Sequence, residues 1–224
     1  MTEISIRQAA ALLNVTEKTI QRWLRQGVIP SLRDQGELRF DQAELEAWAR
    51  FKRIGALAGG AQAAQGEEQV DLLPALLYGG VHHGVPGHTT TEVFQQAIPL
   101  LGFVEDKPAL REELVTNLIE REALASTGLG HGLAIPHPRH PRDWGLGRPV
   151  VGVFFLEQPV DFKSLDGQPV WVLFVLICNT VKGHLKMLAQ VSHLLNQAEV
   201  RDFLARRPPV AELIEFVQTH LPHK

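Results

Sequence analysis

The chain has 224 residues, 45% of them hydrophobic and 21% charged, with a formal net charge of −3, the composition of a folded protein with one large domain or two small ones. That charge excludes a protein that coats nucleic acid along its whole length, and a lone cysteine, Cys178, excludes an internal disulfide. The charge is also uneven: residues 1–53 carry nine Lys and Arg against seven Asp and Glu, whereas residues 54–224 carry thirteen against eighteen, a mildly basic head on an acidic body.

In the head, Ser5 is placed to cap a helix over residues 6–13, and Asn14 suits a left-handed turn after it. Thr16 then caps a second helix to about residue 26, with Ile20, Trp23 and Leu24 on one face and Gly27 ending it. Residues 32–40, LRDQGELRF, predict a hairpin around Asp34-Gln35-Gly36. Asp41 is placed to cap a third helix that turns Leu45 and Trp48 inward. In a helix-turn-helix with a wing, the second helix enters the major groove with its N-terminal residues on base edges. That surface holds Thr16, Lys18, Thr19, Gln21 and Arg22, with Arg22 matched to guanine and Gln21 to adenine. Arg33 and Arg39 on the wing are expected near phosphates. The stretches SIRQAAALLNVTEKTIQRWLRQGVIP and GELRFDQAELEAW resemble the excisionase/MerR-type helix-turn-helix family over about residues 4–50. The resemblance implies DNA as a partner; so small a module makes few phosphate contacts, and useful affinity calls for a homodimer. The alternative is a module that recruits protein.

Residues 54–69, IGALAGGAQAAQGEEQ, are rich in Gly, Ala and Gln and read as a linker. The expected division is thus a winged helix-turn-helix at 1–53, a linker at 54–70 and a second domain at 71–224. His82, His83 and His88 lie close in sequence, but no carboxylate or cysteine completes a familiar ligand spacing, so solvated loop histidines, and no metal, are expected there. Helical periodicity spans 91–101, which Pro99 should close, and more strongly 107–122, where Leu110, Leu114, Val115, Leu118 and Ile119 form one stripe. Strands are predicted at 133–136, 150–156 and 170–177, the last two so continuously apolar that both faces must be covered. Helices follow at 184–195, 198–205 and 210–220. The whole predicts an α/β domain, a mixed β-sheet flanked by helices. No apolar stretch reaches the length of a membrane span, and the first residues lack a basic-then-apolar leader, so no membrane contact and a cytoplasmic setting are expected.

The chemistry concentrates in residues 121–140, REALASTGLGHGLAIPHPRH. Gly128, Gly130 and Gly132 allow backbone N–H groups to approach an anion, and a short strand then delivers Pro136 and His137. Proline restrains the backbone before the imidazole, and a neutral imidazole is a competent nucleophile that can hold a phosphoryl group. Phosphoryl transfer needs positioning and positive charge, so Arg121 and a second histidine are natural companions. By spacing alone, a glycine-rich loop ending in one histidine is more often a structural turn.

The segment resembles the active-site signature of the fructose/mannitol-type enzyme IIA domains of the bacterial phosphotransferase system, a group that includes the nitrogen-regulatory enzyme IIA proteins. The similarity runs through PVDFKSLDGQPVWVLFVLI and HLKMLAQVSHLL, over about residues 71–221. It implies that His137 is the phosphorylated residue, Arg121 the active-site arginine and His184 the second histidine, reached through a short loop, 178–183. Ser126, Thr127 and Gly128 would meet phosphoryl oxygens, although capping roles for Ser126 and Thr127 fit the sequence equally well. The implied donor is a phosphohistidine carrier of the HPr type, with no cofactor. The implied role is a phosphotransferase-system regulator of transcription acting through the helix-turn-helix; the alternatives are a sugar-uptake phosphocarrier serving a separate IIB domain, or a signalling module without DNA binding.

Overall fold

The computed structural model describes residues 3–13, 17–25, 32–34, 37–42, 45 and 70–220, and the chain divides into two compact units, Met1–Ala64 and Gln65–Lys224.

The first unit begins with β1 (Glu3–Ile4), α1 (Ile6–Leu13) and α2 (Glu17–Arg25), followed by the hairpin of β2 (Leu32–Asp34) and β3 (Glu37–Asp41). Ser5 and Gln8 form a reciprocal capping box at the start of α1: Ser5 Oγ accepts the Gln8 N–H at 3.4 Å, and Gln8 Oε1 accepts the Ser5 N–H at 2.8 Å. Strand β3 is central, antiparallel to both β1 and β2, with Leu32 opposite Arg39 and Ile4 opposite Phe40. Ile4, Ala9, Ala10, Ile20, Phe40 and Leu45 are buried together. Asp41 closes β3; Asn14, Thr16, Gly27 and Trp48, assigned turn, capping and packing roles from sequence, lie outside the described residues.

The second unit contains α3 (Leu72–Gly79), β4 (Val81–Val85), α4 (Thr90–Ala97), α5 (Pro108–Leu124), β5 (Gly128–Gly130), β6 (Leu133–Ala134), β7 (Val150–Val160), β8 (Val170–Ile177), α6 (Val181–Leu195), α7 (Ala198–Ala205) and α8 (Val210–His220). Helix α4 runs into a 3-10 turn, Ile98–Leu100, with Pro99 inside it, so the proline closes the helix as its missing N–H requires. The strands form one mixed sheet in the order β4-β7-β8-β6-β5. Strand β4 is parallel to β7 and β6 to β8, whereas β7–β8 and β5–β6 are antiparallel.

Side chains on β7 and β8 alternate between two cores. Val151, Val153 and Phe155 with Val172, Phe174 and Leu176 face a core shared with α3 and α6 to α8. Phe154 and Leu156 with Leu173, Val175 and Ile177 face the other, closed by α4 and α5. Cys178 is buried in the first core as a small apolar side chain. Helix α3 lies so close to β7 that a Cβ on Gly79 would stand 2.3 Å from the Val151 carbonyl oxygen.

Two sequence expectations are corrected here. His82 is not a solvated loop residue: it is 6% exposed, inside β4, stacked on Phe154. His83 stacks instead on Phe155, so strand alternation points the two rings toward opposite faces and keeps them from sharing an ion. Gly128–Gly130, read from sequence as loop, is strand β5, paired with β6.

Candidate active site

His137 stands just past the end of β6, where the sheet itself fixes the backbone. The Pro136 carbonyl accepts the Leu176 N–H of β8 at 2.9 Å, and the Ile135 N–H donates to the Thr127 carbonyl at 3.0 Å. The half-buried His137 ring is then held at both nitrogens. Nδ1 lies 2.8 Å from the Ile135 carbonyl oxygen, which can only accept, so Nδ1 carries the proton. Nε2 therefore presents a lone pair, and Arg121 Nε–H points at it from 3.3 Å.

Arg121 comes from the last turn of α5, where Nη1 also donates to the Ala125 carbonyl at 2.7 Å; a cation at a helix C-terminus is favourably placed. His184 comes from the first turn of α6, which Thr180 caps by accepting the Gly183 N–H at 3.0 Å. The short approach to α6 is pinned by Asn179, whose Oδ1 accepts the Trp144 N–H at 3.2 Å and whose Nδ2 donates to the Leu146 carbonyl at 2.5 Å. His184 is 9% exposed, and its ring centroid is 4.9 Å from that of His137, tilted by 54°.

These surroundings keep both rings neutral near pH 7. Burial pushes the His137 imidazole below its usual range, with the Arg121 charge adding to the effect and the Ile135 bond opposing it. Burial, then repulsion from His137 once it is protonated and from the Arg121 charge, bring His184 down to about 4. The cluster thus offers one nucleophilic nitrogen, one fixed cation and one neutral imidazole.

Ser126, Thr127 and Gly128 sit just beyond α5, each with a structural partner. Ser126 Oγ donates to the Phe162 carbonyl at 2.6 Å and accepts the Gly128 N–H at 2.9 Å. Thr127 gives its N–H and its hydroxyl to the Glu122 carboxylate at 2.8 and 2.6 Å. The glycines serve close packing: a Cβ on Gly128 would stand 2.1 Å from Ser164 Oγ, one on Gly130 2.9 Å from Asp166 Oδ2, and one on Gly132 2.1 Å from the Trp171 indole. Gly130, His131 and Gly132 have φ of 88, 55 and 75°, and Asp166 Oδ2 steadies that turn by accepting the His131 N–H at 2.7 Å. Glu122, Asp166 and Asn179 were not singled out from sequence. The His131 partner of Asp166 and the Trp144 and Leu146 partners of Asn179 lie more than thirty residues away, beyond any local spacing, whereas Glu122 bonds Thr127 five residues on and was visible only as an Arg-Glu pair with Arg121. His131, His140 and His193 are exposed.

In the first unit, Lys18 and Gln21 are exposed on α2, which also carries Thr19 and Arg22; Arg33 and Arg39 lie on β2 and β3.

The family model for the phosphoenolpyruvate-dependent sugar phosphotransferase system, EIIA 2, matches residues 84–220. The chain belongs to that family. A helix-turn-helix domain model matches residues 4–53. A nitrogen regulatory protein of Pseudomonas aeruginosa is 38% identical over 136 residues, 59% of this chain and 85% of that protein. A nitrogen regulatory protein of Bradyrhizobium diazoefficiens is 41% identical over 86 residues, 37% of this chain and 54% of that protein. The crystal structure of nitrogen regulatory protein IIA-Ntr from Neisseria meningitidis superposes with a TM-score of 0.53 at 28% identity, covering 61% of this chain and 92% of that one. The EIIA match spans the three clustered side chains, and the helix-turn-helix match lies within the first unit. No described helix is long and apolar enough to cross a membrane.

Proposed function

We propose that the protein accepts a phosphoryl group on Nε2 of His137 from a phosphohistidine carrier of the HPr type, and that its helix-turn-helix unit reads DNA in response. One observation carries the first half: Nδ1 of His137 is committed to the Ile135 carbonyl while Arg121 faces the free Nε2 lone pair. In the transfer, the Nε2 lone pair forms a bond to phosphorus as the donor's N–P bond breaks, and the donor imidazole takes back that electron pair. Arg121, released from the lone pair, meets the phosphoryl oxygens and offsets their charge. The buried neutral His184 adds an N–H beside the same oxygens without repelling Arg121.

The carrier would dock around the histidines, where Leu124, Val181 and Leu185 stand exposed within one helical turn of Arg121 and His184; a IIB domain would use the same face if phosphate passes onward. Ser126 and Thr127 shape the loop: their hydroxyl protons go to the Phe162 carbonyl and the Glu122 carboxylate, so a hydroxyl would have to leave that partner to donate to a phosphoryl oxygen. The regulatory half rests on the helix-turn-helix match and the basic head. Phosphorylation adds about −1.5 to −2 charges to an already acidic body, enough to change a contact with a basic surface. The test is incubation with phosphoenolpyruvate, enzyme I and HPr, which should give an acid-labile adduct on the full chain and none on His137→Ala. Label that persists in a folded His137→Ala protein overturns the assignment.

A further inference from the structure

The hairpin that carries His137 is braced to α5 at a second point, and the brace ends on the imidazole. Glu122, next to Arg121 in the last turns of α5, accepts the Thr127 N–H at Oε1 (2.8 Å) and the Thr127 hydroxyl at Oε2 (2.6 Å). The Thr127 carbonyl accepts the Ile135 N–H at 3.0 Å, and the Ile135 carbonyl accepts Nδ1–H of His137 at 2.8 Å. Arg121 meets the same ring from the other side, at Nε2. We propose that Glu122 is a positioning residue: its carboxylate sets the register of the β5–β6 hairpin against α5 and so holds His137 in the Nδ1–H tautomer, with Nε2 aimed at Arg121. The inference rests on His137 being the acceptor and adds how its reactive nitrogen is selected.

The residue type follows from the partners. Thr127 presents two donors, and a carboxylate is the side chain that offers two acceptors at this reach. Glutamine offers one acceptor and one amide donor, and aspartate is a methylene too short. The carboxylate is also costly to keep: burial pushes it above the usual range, opposed by the Thr127 bonds and by Arg121. Arg121's own bonds run to Ala125 and His137, so Glu122 acts through the hairpin and not by gripping the arginine.

The test compares the full-length wild type with Glu122→Gln, Glu122→Asp and Thr127→Val. The imidazole tautomer of unphosphorylated His137 is read by ¹⁵N NMR, the rate of phosphoryl uptake from phosphorylated HPr is measured, and thermal melting checks the fold. The wild type should be dominated by the Nδ1–H form. Glu122→Gln should give a tautomer mixture and slow uptake by roughly 10-fold or more, the scale on which lost outer hydrogen-bond partners act. Thr127→Val, which keeps the amide arm, should shift both readings less in the same direction, and Glu122→Asp should recover part of the loss. Wild-type tautomer and rate in folded Glu122→Gln overturn the proposal; if that variant does not fold, the same result in Thr127→Val and Glu122→Asp overturns it. A wild type that takes no phosphoryl on His137 would defeat the acceptor reading, while the tautomer comparison would still decide the role of Glu122.

Discussion

His137 is held at both ring nitrogens, and each neighbour should have a separable effect on the proposed reaction. In the proposed reaction Arg121 would stabilise charge that builds on the phosphoryl oxygens, and His184 would supply a neutral donor beside them. Replacing either by alanine should slow uptake by roughly 10²-fold, the scale of one lost donor to a developing oxyanion; wild-type rates in both folded variants would remove them from the site. The depressed titration of both rings has its own signature. A histidine that stays neutral keeps its lone pair, so uptake should remain level as pH falls from 8 through about 6.5, where an ordinary imidazole is already half protonated. The rate is followed with pre-phosphorylated carrier, corrected for the carrier's own hydrolysis, and a fall centred near 6.5 would contradict the burial argument. The sign for stability agrees: the unfolded chain binds protons that the folded rings reject, so stability is full above about 6.5 and is lost as pH falls toward 4. Arg121 and Pro136-His137 were legible in sequence because they lie in one short segment that resembles the enzyme IIA signature, and His184 was placed only through that resemblance. The actual task of the glycines was not legible, because Ser164 and Asp166 reach them from a distant loop and Trp171 from β8.

At the scale of elements, the site depends on how tightly the β5–β6 hairpin sits against β8. Gly132 is the critical point: its φ of 75° and the indole 2.1 Å from a would-be Cβ leave no room for a side chain, and its carbonyl accepts the Trp171 N–H at 2.8 Å. Gly132→Ala should destabilise the protein by about 1–3 kcal/mol through strain and overpacking, measured by denaturant unfolding, and should slow phosphoryl uptake as well. An unchanged midpoint would show that the hairpin gives way easily. Strands β7 and β8 and helices α5 to α8 could be read from long apolar runs or sustained periodicity, because their burial is continuous. Helix α3 and strand β4 could not. The first is apolar nearly all round with Pro74 in its opening turn, and the second is broken by His82, His83 and Gly84, whose burial is decided by β7. Strand β5 was hidden for a related reason, since its three residues are strand only through pairing with β6.

For the whole molecule, an EIIA 2 domain and a helix-turn-helix in one chain support the proposal that one reports to the other. The fold class and both families followed from the sequence, because each motif is local and dense. If the head reads DNA, Arg22→Ala should lose about 1–3 kcal/mol and relax sequence preference, whereas Arg39→Ala should weaken all sequences alike and reduce the salt slope by about one. Titrations of the full chain against candidate upstream fragments at two salt concentrations make the distinction. Absence of preference for any fragment over bulk DNA would leave protein recruitment as the role of the head.

The central claim is that Nε2 of His137 is the atom that receives phosphorus. It is tested most directly by phosphorylating ¹⁵N-histidine-labelled protein with phosphoenolpyruvate, enzyme I and HPr, then recording the imidazole nitrogens by NMR. The account predicts a single phosphorylated ring, His137, with phosphorus on Nε2 and the Nδ1 proton retained. Phosphorus on Nδ1, or on the ring of His184, would contradict it.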